Sequence, residues 1–415
     1  MRKYNKDFIW NMIGSVSNAV TTLLVLVIVT RINGIDDGGI ISIAFAGAQL
    51  MFTIGAFEVR TYQVTDINKK FDFTDYYTFR IITCTVMIVV SLIYIFESGY
   101  SWEKGIVIFL MCIYYMIDAF ADVFEGLFQS LDNLDMSGKS LGIRVIFSTI
   151  IFAIVLVFTK DLVIASVANC ISAALWVLFY DIILGSRVTK IKLKISFYNV
   201  NKLFFDCVPL FVVSFLFIYL INTPKYSIDR YMSLSSQNYY NMISMPSFVI
   251  NLFSLFLMRP MITKIAVSYH NNNLKSFVKR VTILLAFDIL ITIVAVIVAF
   301  FIGIPVLSFI YGTDLSSYKT ELIVLVVAGG ASALGIVMYN VLTALRKQKI
   351  ILIIYSIVAV FATMITSFLV KKEGIFGATI AYFAIMTSLF VLLLVFFVIT
   401  INKSNKKINK LVYKQ

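Results

Sequence analysis

Residues 111–144 read MCIYYMIDAFADVFEGLFQSLDNLDMSGKSLGIR, from Met111 to Arg144. The stretch opens as an apolar run, but Asp118, Asp122 and Glu125 interrupt it. Spacings of four and three residues put all three acids on one face of a helix. A polar loop follows, from Leu131 to Lys139, and Arg144 lies just inside the next apolar run. In water such a stripe is an ordinary solvated face. In lipid it is costly, and something must face it. The solvent around this helix therefore decides both the fold and the meaning of the stripe.

Composition identifies that solvent. The chain has 415 residues, 60% hydrophobic and 14% charged, and a mean hydropathy of +0.94. Soluble domains are ~45–50% apolar and about 25% charged. A soluble protein could not cover this much apolar surface, so lipid must cover it, and the chain reads as a polytopic all-α integral membrane protein. The net charge of +13 could suggest nucleic acid. Its distribution argues otherwise, because the basic residues fall in short clusters between apolar runs, and no nucleic-acid partner is expected. Cys84, Cys112, Cys170 and Cys207 all lie inside apolar runs without metal spacing and read as packing residues. The single histidine, His270, sits in a polar loop, which excludes a proton relay built on histidine. The N-terminus is basic, but the apolar run after it exceeds 20 residues and lacks a small-residue cleavage site, so it reads as a first span.

Twelve apolar runs of spanning length follow one another, at 8–30, 39–59, 76–96, 105–128, 141–159, 161–184, 203–222, 236–258, 281–302, 318–340, 350–370 and 375–401. The fifth and sixth are joined only by Thr159-Lys160-Asp161, which demands a tight hairpin. With the N-terminus inside, 27 of the 35 lysines and arginines fall in inside segments and eight outside. That asymmetry supports twelve spans with both termini cytoplasmic. All loops are short. The segment Val188–Phe197 alternates basic and apolar residues, reads as an interfacial linker on anionic headgroups, and divides the chain into bundles at 1–195 and 196–415, six spans each.

Several constellations are candidates for function. Asn11, Ser15, Asn18 and Thr22 share one face of the first span, and such a face looks at another helix or at a water-filled cavity. The stripe Asp118, Asp122, Glu125 has three readings: pairing with Arg144, Arg80 or Arg60, which enter from the same side; a site that couples transport to H+ or Na+; or direct contact with a substrate. Asp206, beside Pro209, and Asp288 are lone acids whose default is a partner on another helix; both are also ion-coupling or gate candidates. Arg31, Lys225 and Arg230 sit at outer span ends and Arg60, Arg80, Arg144 and Arg259 at inner ends. Each alone reads as a snorkelling anchor; as a set flanking a cavity, they suit a diphosphate, which guanidinium binds bidentately. There is no phosphate-binding glycine loop, no catalytic or metal constellation and no cofactor motif. A membrane enzyme would need catalytic residues in a sizeable outside loop, and none exists.

The order of short motifs resembles a known family over nearly the whole chain. These are Asn11 in a first span ending Thr30-Arg31-Ile32-Asn33-Gly34, then Gly38-Gly39; Asp122 to Gln129; Lys225 to Tyr231; Tyr311-Gly312-Thr313-Asp314; and Gly374-Ile375-Phe376-Gly377-Ala378. Together they resemble the polysaccharide-transporter (Wzx-type) flippases of the MOP superfamily, which also holds the MATE drug exporters. The sequence departs from that pattern at Gln237-Asn238 and at Ile35-Asp36-Asp37 after Gly34. The resemblance implies two six-helix bundles around a central cavity, alternating access, and residence in a bacterial cytoplasmic membrane. The implied cargo is an undecaprenyl-diphosphate-linked oligosaccharide bound for capsule, O-antigen or exopolysaccharide. Implied partners are membrane lipids and the polymerase and glycosyltransferases of the same pathway, with the protein itself a monomer. Under this resemblance Asn11, Ser15, Asn18, Arg31, Arg60, Arg80, Arg144 and Arg230 are expected to line the substrate cavity. A cation-coupled drug exporter of the same fold stays open, as does a structural assembly component.

Overall fold

A computed structural model describes the backbone of residues 2–66, 70–270 and 273–412, with side chains except at 2–5, 8, 255–257, 259–260, 262–264, 266, 270 and 404–412. Arg259 and His270, singled out from the sequence, thus have side chains outside the described residues. The helices are α1 (Arg2–Asn33), α2 (Ile35–Ala56), α3 (Val59–Thr65), α4 (Phe73–Glu97), α5 (Trp102–Ser130), α6 (Leu134–Thr159), α7 (Leu162–Trp176), α8 (Ile183–Val188), α9 (Phe197–Tyr231), α10 (Leu234–His270), α11 (Leu274–Val298), α12 (Ile304–Tyr311), α13 (Lys319–Ala344) and α14 (Gln348–Val412). π-Helical turns at Val177–Ile182 and Ala299–Gly303 join α7 to α8 and α11 to α12. Among the described residues, ten stretches are long and apolar enough to cross a membrane. One of them breaks at Gly374 (φ 59°, ψ −131°) into two crossings, and α10, 37 residues long, supplies another. The fold is the expected twelve-helix, all-α membrane architecture.

The connections are made by local chemistry. Gly34, at φ 101°, is the single residue between α1 and α2, a backbone angle that disfavours any side chain. The fifth-to-sixth hairpin closes with Lys160 in the left-handed region, and Asp161 caps α7 by accepting from Val163 N (2.8 Å) and Ile164 N (3.0 Å). The loop before α4 is held by Asp66, whose carboxylate accepts from Lys70 N (3.0 Å), Phe71 N (3.2 Å) and Tyr76 Oη (2.8 Å). Burial works against this charge, but the three hydrogen bonds hold Asp66 below the usual carboxylate range. The eighth span opens with Gln237, Asn238 and Asn241, all buried, so its polar start faces protein and the helix runs through it.

The chain divides into two compact units, Met1–Ile218 and Tyr219–Gln415. The division by contacts falls inside α9, past the basic linker at which the sequence reading divides the six-span bundles. The reason is packing: Leu203 and Cys207 of α9 belong to the same buried cluster as Phe57, Phe79 and Phe124, and Asn199 Nδ2 donates to Asp75 Oδ1 at 2.9 Å. In the first unit the span from α2 is the central one, with 72% of its apolar stretch buried. In the second unit that place falls to α13, 67% buried, whose Gly329 and Gly330 lie against Ser247 of α10 and Thr292 of α11.

Helix α1 meets α6 along a glycine seam. A Cβ on Gly138 would stand 2.4 Å from the Trp10 backbone, and one on Gly142 3.1 Å from Gly14 Cα. Close backbone approach of this kind drives helix association in lipid, where apolar burial contributes little. Gly138→Val is expected to lower the thermal unfolding midpoint of the purified protein, at a cost of ~1–3 kcal/mol or more, since backbone on both sides cannot yield. Gly335→Ala, where an added Cβ meets nothing within 4 Å, is expected to leave it unchanged or raise it by the helix-propensity gain of ~0.5–1 kcal/mol. A second expectation concerns pH. Because Asp66 is held low, its contribution is complete at neutral pH and is lost on acidification below about pH 4. Amide exchange at Lys70 and Phe71, corrected for intrinsic rate, should accelerate there, and Asp66→Asn should show the faster exchange at neutral pH.

Candidate functional site: a buried arginine–carboxylate network

The acidic stripe of α5 faces arginines from three other helices. Arg144 of α6 donates from Nε to Asp118 Oδ1 (2.8 Å), from Nη2 to Glu125 Oε1 (3.1 Å) and from Nη1 to Ser140 Oγ (3.3 Å). Arg80 of α4 donates from Nη2 to Asp122 Oδ2 (2.7 Å) and from Nη1 to the Gly55 carbonyl (2.6 Å). Arg60 of α3 donates from Nη1 to Glu125 Oε2 (2.6 Å) and Asp122 Oδ1 (3.2 Å), and from Nη2 to Gln129 Oε1 (3.1 Å) and Ser137 Oγ (3.0 Å). Arg80 and Arg144 are 0% and 1% exposed. Of the three, only the Arg60 side chain retains substantial exposure, at 28%.

Local structure positions each of them. Gly126 gives α3 its place, since a Cβ there would stand 2.5 Å from Gln63 Oε1 and 3.3 Å from Arg60 Cγ. Helix two of the sequence is broken between α2 and α3 at Phe57 and Glu58, both in the left-handed region at φ 46° and 55°. The break frees the Gly55 carbonyl, which then accepts from Arg80 and from Thr83 Oγ1 (2.7 Å). Phe57 stacks on Phe211 at 4.3 Å, and the Glu58 carboxylate accepts from Thr61 Oγ1 and Ser214 Oγ. These contacts hold two strained residues in place.

A fourth acid completes the network. Asp181, 0% exposed, lies with Oδ2 3.8 Å from Arg144 Nη1. It sits in the π-helical turn at Val177–Ile182. Ala173, Val177, Asp181 and Gly185 are all buried at a strict spacing of four. In an α-helix of 3.6 residues per turn that spacing drifts by ~40° per step. The wider π turn absorbs the drift and keeps all four on the inward face.

No family model matches the chain. It is 23% identical over 383 residues to the capsular polysaccharide biosynthesis protein CapF of Staphylococcus aureus, covering 90% of this chain and 94% of that protein. Among solved structures it is similar to an inward-facing multidrug-resistance MATE family transporter of the MOP superfamily, with TM-score 0.70 and 13% identity over 94% of this chain and 96% of that one. It is also similar to the eukaryotic MATE transporter AtDTX14, with TM-score 0.66 and 14% identity over 98% of both chains. The chain shares the fold of these MATE transporters.

Within this fold, six of the sequence candidates come together: Arg60, Arg80, Arg144, Asp118, Asp122 and Glu125. The others lie apart from the network. Asp206 is exposed and accepts from Tyr62 Oη at 2.8 Å. Asp288, in the second unit, is buried and accepts from Ser254 Oγ at 3.0 Å. Arg31 and Arg230 are exposed, Arg230 lying 5.6 Å from the centre of the Tyr231 ring. Asn11 and Ser15 are half-buried and Asn18 exposed; their face lies about a quarter-turn of α1 from the glycine seam. Asp181, Gln129, Ser137 and Ser140 went unflagged in the sequence. For Asp181 the signal was present, since a lone acid in an apolar span is the pattern that marked Asp206 and Asp288.

Removing one partner of a buried ion pair strands the other charge, at ~3–5 kcal/mol. Arg144→Met strands Asp118 and leaves Glu125 with Arg60 alone, so it should give a poorly folded protein with a strongly lowered melting midpoint. Arg144→Lys should recover only part of the loss, because an ammonium cannot reproduce the fork that spans two carboxylates. Unchanged melting of Arg144→Met in purified protein would refute the structural weight given to this residue.

Proposed function

We propose that this protein moves an undecaprenyl-diphosphate-linked oligosaccharide from the inner to the outer leaflet of a bacterial cytoplasmic membrane by alternating access, with Arg60 as the guanidinium that takes the diphosphate. One observation carries the assignment to Arg60. Both of its acidic partners have a second arginine: Asp122 is held by Arg80 at 2.7 Å and Glu125 by Arg144 at 3.1 Å. Arg60 can therefore leave the carboxylates for a phosphate while each of them keeps a guanidinium partner. Arg80 and Arg144, fully buried, have no such freedom. A diphosphate offers the bidentate, doubly charged acceptor that a guanidinium fork fits.

Other observations agree with this reading. The Staphylococcus relative is named for capsular polysaccharide biosynthesis. The Asn11, Ser15, Asn18 face of α1, left unused by the α6 seam, suits sugar hydroxyls. A second reading, cation-coupled drug export, draws on the likeness to multidrug MATE structures and on the carboxylate-rich network.

In proteoliposomes carrying a matched lipid-linked glycan, the wild-type protein is expected to reorient the glycan faster than protein-free vesicles do. Losing one charged hydrogen-bond partner is worth ~1.5–3 kcal/mol, so Arg60→Gln should reduce reorientation by roughly 10–100-fold, with melting close to wild type. Wild-type rates in Arg60→Gln would remove Arg60 from the mechanism. Absence of glycan reorientation by wild type, together with gradient-driven drug transport, would select the second reading.

A further inference from the structure

The network does not balance. Asp118, Asp122, Glu125 and Asp181 face Arg60, Arg80 and Arg144, so four carboxyls meet three guanidiniums and one negative charge is left over. The site is enclosed by helices that must sit in lipid, where an uncompensated charge is costly. The carboxyls also differ in how they are held. Asp118, Asp122 and Glu125 each accept a hydrogen bond from at least one guanidinium at 3.2 Å or less. Asp181 does not: Arg144 Nη1 stands 3.8 Å away, and no donor meets hydrogen-bond geometry at either of its oxygens. Its neighbour Ser140 accepts from Arg144 Nη1 and keeps its own O–H to donate.

We infer that Asp181 is the proton-binding residue of this network and carries a proton in the arrangement seen here. The proton adds to one carboxylate oxygen, and four acids with one neutralised then match three arginines. The acid gains an O–H that can donate, where the carboxylate could only accept. The groups facing Asp181 fit this. From α6 they are Arg144 and Ser140; from α5 they are Glu125 and Asp118, which add negative charge and are themselves committed to arginines; on its own element there is Tyr180. Further along α6, Asp135 pairs with Lys139 at 3.0 Å and Lys6 at 3.4 Å and brings no free charge. A metal cation fits less well. Among the described residues no group of three or more His, Cys, Asp or Glu side chains is arranged to hold one, and the guanidinium 3.8 Å from Oδ2 repels a cation placed there. Loss of the proton would give Arg144 a third full carboxylate to satisfy and weaken its grip on Glu125, which also holds Arg60. This is how protonation of Asp181 would reach the cargo-facing arginine; that last link rests on the transport reading above, whereas the protonation does not.

The test is infrared spectroscopy on the full-length protein in nanodiscs at neutral pH, with no cargo. Wild type is expected to show the carbonyl-stretch band of a protonated carboxylic acid that downshifts in D2O and moves again when aspartate, but not glutamate, is isotope-labelled. Asp181→Asn, which mimics the protonated acid in shape and charge, should lose that band entirely and melt as wild type does. A wild type without such a band overturns the proposal, as does a band that follows glutamate label or survives in Asp181→Asn. Should Asp181→Asn fail to fold, Asp181→Glu decides: the band must then move from aspartate label to glutamate label. None of these readouts depends on what is transported, so a failed glycan assay and a failed protonation assay remain distinct results.

Discussion

A guanidinium at 1% exposure inside a lipid-embedded bundle is the constraint around which the first unit is built. Moving an ion of this size into a medium of low dielectric costs of order 20 kcal/mol in the idealised limit. Arg144 survives there because its Nε, Nη1 and Nη2 each point at an oxygen on α5 or α6. One of the acids it satisfies, Glu125, is in turn shared with Arg60, which also holds Asp122 beside Arg80, so the three arginines form one linked network. The network therefore fixes α5 and α6, the π-helical turn, α3 and α4 relative to one another by the most expensive interaction available in lipid. Hydrophobic packing could not do this, since lipid tails compete equally well for apolar side chains.

Much of this was legible in the sequence. Three acids at four- and three-residue spacing had to share a face, and once the lysine and arginine count set the topology, Arg60, Arg80 and Arg144 were the cations entering from that side. The hairpin at Lys160 and the break at Gly374 were equally open, because a three-residue connection and a glycine leave few alternatives. What stayed hidden depends on tertiary contact. Phe57 and Glu58 carry no turn signal; they adopt left-handed angles because Phe57 is stacked between α4 and α9 and Glu58 is hydrogen-bonded to Ser214. The division by contacts falls inside α9 for a related cause: the basic linker before α9 marks where the chain leaves the membrane, whereas Leu203 and Cys207 pack into the core of the first unit.

The first helix shows how one span serves two demands. Its glycine seam brings the α1 and α6 backbones together so closely that side chains are excluded there. Thr21 reaches the same side and accepts from Thr149 Oγ1 of α6 at 3.5 Å, while the other polar residues occupy a neighbouring face. The sequence displays the polar face directly as Asn11, Ser15, Asn18 and Thr22. The seam is visible only when Gly14 is read against Gly138 and Gly142, residues more than a hundred positions away. A polar face could have been interhelical glue or a cavity wall. With packing against α6 assigned to the glycines, the polar residues are free to meet something that is not α6.

Strain and charge meet at the second helix. Two successive residues in the left-handed region cost ~1–3 kcal/mol each, and an unbroken helix would avoid that. An unbroken helix would, however, keep the Gly55 carbonyl within its own ladder and deny it to Arg80 and Thr83. It would also carry Arg60 onward along the axis of α2, where the close approach to Gly126 that seats Arg60 and Gln63 against α5 would be lost. The break thus does two jobs: it feeds a carbonyl to a fully buried arginine, and it mounts the network's one partly exposed arginine on a seven-residue helix of its own. On that short helix the Arg60 side chain keeps 28% exposure. The two deeply buried arginines lie on the long spans α4 and α6 and are closed off from solvent. The arrangement separates a fixed charge framework from a single guanidinium placed where it can exchange partners.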